Sequence, residues 1–104
     1  MQKELLHWDI YEIQPNGTAI VGVMFRGRIR KFCLKQDRNV LTQNAVDAEQ
    51  CVRFAIPTGE DPHDIIKYIQ TIAPDATIPC LKENVPNPVL SKLKVNIESR
   101  YTLY

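Results

Sequence analysis

A chain of 104 residues has the length of one domain and is able to bury roughly 60 to 70% of the surface its unfolded form exposes. Hydrophobic residues make up 44% of it and charged residues 24%, which excludes the apolar depletion of a disordered chain. Thirteen basic residues against twelve acidic ones leave a net +1, too balanced for the totals to point to nucleic acid or a membrane.

The opening residues Met1 to Asp9 hold no apolar run before charge returns, so they predict neither a signal peptide nor an anchor. The expectation is a cytoplasmic protein without a membrane partner. Cys33, Cys51 and Cys80 are separated by 18 and 29 positions, which fits neither a disulfide framework nor a CxxC motif. They are expected as reduced, mostly buried thiols.

In chain order, Leu6 to Ile13 reads as a strand with Leu6, Trp8 and Ile10 on one face. Pro15-Asn16-Gly17 then supplies residues that suit a hairpin turn. Thr18 to Phe25 is apolar on both faces, as a covered central strand would be, and Gly22 marks a bulge or close backbone approach. That strand leaves open a second covering layer or a homodimer. Arg26-Gly27 suggests another tight turn, followed by a strand from Arg28 to Lys35 in which Arg28 and Arg30 share a parity with Phe32 and Leu34.

A turn at Asp37-Arg38-Asn39 leads into a short strand around Val40 to Thr42. Residues 44 to 55 fit two templates. Asn44 suits the cap of a helix through Ala45, Ala48, Val52 and Ala55, whereas Cys51 to Ile56 alternates with Val52, Phe54 and Ile56 on one face; turn then strand is favoured.

Asp61 to Ala73 predicts a helix, with Asp61 as N-cap, Pro62 in the first position and Asp64 near the positive end of the dipole. Ile65, Ile66, Tyr68, Ile69 and Ile72 form a stripe that must pack on a sheet, while His63, Lys67, Gln70 and Thr71 face outward. Pro74, Pro79, Pro86 and Pro88 make 74–90 an irregular, proline-rich arm. Alternation of Leu93, Val95 and Ile97 suggests a last strand over 92–98. The predicted architecture is α+β: a single domain over 1–104, an antiparallel β-meander of about five strands with one amphipathic helix packed on one face.

No common enzyme signature is present, neither GxSxG, HExxH, a P-loop nor GxGxxG, and the chain is expected not to be an enzyme. Glu60, Asp61, His63 and Asp64 contain donors that hard cations accept, but a helix N-terminus accounts for the same residues, so no metal or cofactor is expected. A nucleophile and base pair of Cys80 and His63 finds no support in the spacing. Trp8, Tyr11, Tyr101 and Tyr104 are expected as packing residues rather than ligand platforms.

The informative feature is charge distribution. Between residues 26 and 38 there are six basic residues and one acid, a local +5, whereas 44–64 carries five acids and one base, a local −4. The candidate binding set is Arg26, Arg28, Arg30, Lys31, Phe32, Lys35 and Arg38, on a basic hairpin whose expected partner is an acidic protein surface. The alternative is nucleic acid, with Phe25 and Phe32 interleaved among the cations. Internal pairing with the acidic segment would account for the same charges without a partner.

Overall fold

The computed structural model describes residues 7–17, 25–45 and 50–86. These form β1 (His7–Ile13), α1 (Phe25–Lys35), β2 (Leu41–Asn44), β3 (Val52–Pro57), α2 (His63–Ile72) and β4 (Cys80–Pro86). The four strands make one antiparallel sheet in the order β2-β3-β1-β4. A β-α-β-β-α-β chain in that strand order is the split βαβ, or ferredoxin-like, topology.

The α+β class and the antiparallel sheet are as expected, but the described residues hold four strands and two helices instead of about five strands and one helix. They also do not form a meander. β1 has β3 on one edge and β4 on the other, which leaves no edge for a hairpin partner following Pro15-Asn16-Gly17. The strand expected over Thr18 to Phe25 lies outside the described residues except for Phe25, which opens α1. The strand expected over 92–98 also lies outside them.

The basic segment is a helix, not a strand after a turn at Arg26-Gly27. Its buried residues Phe25, Ile29 and Cys33 recur every fourth position, the spacing of a helical stripe. The alternation of Arg28, Arg30, Phe32 and Leu34 was a coincidence of parity, and Leu34 is 58% exposed. Arginine, leucine and lysine are good helix formers, so local propensity agrees with the stripe.

β2 begins one residue later than expected. After it the chain takes the turn-then-strand course, with Gln50 at φ 64° leading into β3. α2 matches its expectation closely, with one change at the start: Pro62 is itself the N-cap, and the Asp61 carboxylate accepts from the His63 backbone N–H at 3.0 Å. The expected irregular arm is partly a strand. β4 pairs along β1 at the sheet edge, with register shifts, and Pro79 and Pro86 lie at its start and end, where an edge strand tolerates missing N–H donors.

Both faces of the sheet are buried. Ile13, Val52, Phe54 and Ile56 meet Phe25, Ile29 and Cys33 of α1 and Ile65 and Ile69 of α2 in the main core, where Tyr11 stacks on Phe54 with ring centroids 5.1 Å apart. Trp8, Ile10, Leu41 and Ala55 form a second cluster on the opposite face. That face also holds an ion pair: Arg53 donates through Nε and Nη2 to Glu12 Oε2 at 2.9 and 2.7 Å, and Gln14 donates to Glu12 Oε1 at 2.8 Å.

Asp9 ties three elements together, since its Oδ1 accepts from the Thr58 hydroxyl after β3 and from the Asn84 N–H of β4. The Tyr11 hydroxyl is pushed up to about 12, first by burial and then by the negative neighbours Cys80 and Asp9. A raised folded-state value favours the neutral phenol, so stability is expected to hold below about pH 10 and to decline from there towards about 12. Thermal melts across that range, with a Tyr11→Phe variant that loses this part of the decline, check it.

Candidate functional site

α1 lies in the helix layer and runs back against the direction of β1 and β2, which are mutually parallel because each is antiparallel to β3. Its arginines are therefore wound around an axis rather than lined along one face. Arg26 and Arg30, four positions apart, share the flank that meets β2, where Arg30 Nη1 donates to the Thr42 hydroxyl at 2.8 Å. Phe32 faces the other way and stacks on Tyr68 of α2 at 4.4 Å. Arg28 and Lys35 lie four positions before and three after Phe32, on that flank. Lys31 is exposed on the outer side. Arg38 lies beyond the helix and donates to the Asp61 carbonyl at 2.9 Å and to Glu60 at 3.4 Å.

The seven residues thus do not make one patch. Arg38 is joined to the acidic segment, as internal pairing would have it, and Phe32 belongs to the helix-to-helix packing. What the fold brings together is Arg26 and Arg30 from α1 with Thr42 and Asn44 from β2. Thr42 and Asn44 are register partners of Phe54 and Val52, so both point into the helix layer. From Thr42 to Asn44 is about 6.6 Å along a strand, and from Arg30 back to Arg26 is about 6 Å along a helix. α1 and β2 are antiparallel, so these two steps both lead from the Arg30–Thr42 contact towards the same end of the sheet.

The first described turn of α1 carries Arg26 and Arg28 and no acid. β2 holds an acceptor: the Asn44 side-chain carbonyl oxygen Oδ1 is buried and has no hydrogen-bond partner. Leaving such a group unmet costs on the order of 1 to 3 kcal/mol. A bound group that offers a donor would remove that cost.

Thr42 entered the sequence reading only as the end of a short strand, and Asn44 only as a helix cap. The signal was there in two spacings, i to i+4 for the arginines and i to i+2 for Thr42 and Asn44, but it is visible only once the first is known to be a helix and the second a strand.

The other candidates disperse. Among the described residues no group of three or more His, Cys, Asp or Glu side chains is placed to hold a metal ion. Glu60 meets Arg38 and the Asp61 carboxylate accepts from the His63 backbone N–H, while the His63 residue is exposed at the start of α2. Cys33 is buried with its thiol pushed up to about 11 by that burial, Cys51 is half-buried and Cys80 is exposed. Desolvation also raises Cys51 and Cys80. Alkylation by a small maleimide at neutral pH is expected in the order Cys80, Cys51, Cys33, with Cys33 labelled only on unfolding, as time-resolved mass spectrometry of the peptides would show.

No helix among the described residues is long and apolar enough to cross a membrane. Comparison of the chain with protein-family models, with curated proteins and with solved structures finds no match in any of the three.

Proposed function

We propose that the end of the α1–β2 seam is an oxyanion-recognition site that takes a phosphate group carried by a small ligand. One observation carries this reading: the Asn44 side-chain carbonyl oxygen is buried without a hydrogen-bond partner, two residues along β2 from the Thr42 that Arg30 of α1 meets. The guanidinium fork of Arg26 suits the non-bridging oxygens of a phosphate. The Asn44 acceptor separates phosphate from carboxylate. Inorganic phosphate keeps a P–OH near neutral pH that can donate to Oδ1, and a phosphomonoester, with a second pKa of about 6, keeps one in its monoanion, whereas an ionised carboxylate has no donor.

Titration of the full chain with inorganic phosphate, followed by amide chemical shifts, tests the reading. Saturable shifts centred on Arg26, Gly27 and Asn44, absent with acetate, are the expected result. No saturable change up to about 10 mM, the range of weak single-site binding, would remove the proposal. Equal shifts with acetate would replace phosphate by carboxylates in general.

The same acceptor favours a second reading, hydrolysis of the bound phosphate ester or anhydride. A water donating to Asn44 Oδ1 would have its lone pair directed at phosphorus. Its oxygen forms the new P–O bond, the bond to the leaving oxygen breaks, and the proton passes to that oxygen. Release of inorganic phosphate from a panel of esters and anhydrides, lost in Asn44→Ala, would support this; no release above the uncatalysed rate would leave recognition alone.

The acidic-protein partner rests on Arg28, Lys31 and Lys35, which are exposed. Spaced i, i+3 and i+7, they form one exposed basic stripe along α1, which suits an acidic protein surface. For nucleic acid, Phe32 is a poor base platform because its ring already stacks on Tyr68.

A further inference from the structure

We propose that the groove between α1 and α2 is a docking seat for another protein, and that its occupant is an acidic amphipathic helix carrying one large apolar side chain. The inference rests on the acidic-partner reading of the α1 stripe, to which it adds a place and an anchor. It is independent of the phosphate site.

The seat has an apolar floor. Phe32 of α1 and Tyr68 of α2 are half-buried and stack at 4.4 Å, with their rings 12° from parallel. Together with Asp64, Lys67 and Thr71 they line an open, mainly apolar groove of about 350 Å³. That volume is at the low end for a small-molecule cleft, roughly 300 Å³, and suits a single inserted side chain.

The rim is cationic. Phe32 is bordered on its outer side by Arg28, Lys31 and Lys35, whose stripe covers about 10 Å of helix, and Lys67 adds a fourth cation from α2. Asp64 is the single acid lining the groove. Among the described residues none of these four cations makes an ion pair or hydrogen bond. Unpaired cations beside an apolar floor are complemented by a ligand that brings acids and an apolar anchor together, as an amphipathic helix in a groove does. The same face of a second copy would meet like charges. Nucleic acid fits less well, since Phe32 and Tyr68 already use one ring face on each other.

The experiment uses the full chain and two labelled helical peptides of about 14 residues, or four turns, long enough to cover the stripe. One has glutamates on both sides of a central leucine; the other has alanine in place of that leucine. Fluorescence anisotropy gives the affinities and amide chemical shifts give the location. The leucine peptide is expected to bind about ten- to a hundredfold more tightly, the worth of burying one such side chain. Its shifts should centre on Phe32, Tyr68 and Thr71. The Lys31→Glu, Lys35→Glu double variant changes exposed residues only and should weaken both peptides by about tenfold at low salt. Phe32→Ala, shown first to melt cooperatively, should abolish the preference for leucine; if it does not fold, the two peptides still make that distinction on the parent chain.

Equal binding of the two peptides overturns the seat and leaves the acidic-partner reading of the stripe standing. Absence of saturable binding by either peptide up to about 1 mM removes both. Binding that the charge reversal does not weaken also overturns the proposal. So does a single-stranded DNA oligonucleotide that binds more tightly than the leucine peptide with a steep salt dependence, which would assign the stripe to nucleic acid.

Discussion

Replacing Glu12 with leucine is expected to cost about 3 to 5 kcal/mol of folding stability, because it removes the carboxylate that meets the buried Arg53 guanidinium. The two side chains are only 7 and 5% exposed, and Glu12 Oε2 receives both Nε and Nη2 of Arg53. The residues are direct register partners on β1 and β3, so the pair sits in the middle of the sheet face that also carries Trp8, Ile10 and Leu41. The Glu12→Leu, Arg53→Met double variant should regain most of the loss, since an apolar pair of similar volume avoids the desolvation that the ion pair must offset. Urea unfolding of the two single variants and the double checks this. Single variants within about 1 kcal/mol of the parent would mean that the pair is screened like a surface bridge.

The second large effect concerns the seam. Arg26→Gln is expected to raise the phosphate Kd by about ten- to a hundredfold, the loss of one or two charge-assisted hydrogen bonds, while the melting temperature changes little because Arg26 is only half-buried. Arg28→Gln, on the α2 flank one residue pair away, removes the same charge without the position. It should leave phosphate affinity within about twofold, the size of a screened surface effect. Equal losses in the two variants would show that general positive charge, not the α1–β2 geometry, attracts the anion.

Much of the fold was legible. α2 announces itself through Asp61, Pro62 and its isoleucine stripe, because it buries one face against one core, and β3 through Val52, Phe54 and Ile56, which share the helix-facing side although its other face is buried too. α1 was not legible for a physical reason. Its buried stripe is only Phe25, Ile29 and Cys33, and Arg28 and Arg30 happen to share a strand parity with Phe32 and Leu34. β4 hid for a different reason: an edge strand exposed along most of its length carries no hydrophobic alternation, and its prolines resemble those of a loop. The site inherited the first of these errors. Arg26 and Arg30 were singled out, but as part of a hairpin, so the side chains opposite them on β2 could not be found.

β1 lies between β3 and β4, and this has a bearing on how the chain comes into being. Ile10 faces Ala55, 45 positions later, and Trp8 faces Val85, 77 positions later. At about 5 to 20 residues per second, the first strand waits several seconds on the ribosome before its nearest partner exists. Trp8, Ile10 and Ile13 are exposed to other chains for that interval, and such long-range pairing is the slow kind. The sheet closes from its centre only when synthesis is well advanced, so a holding chaperone would find its grip on the N-terminal strand.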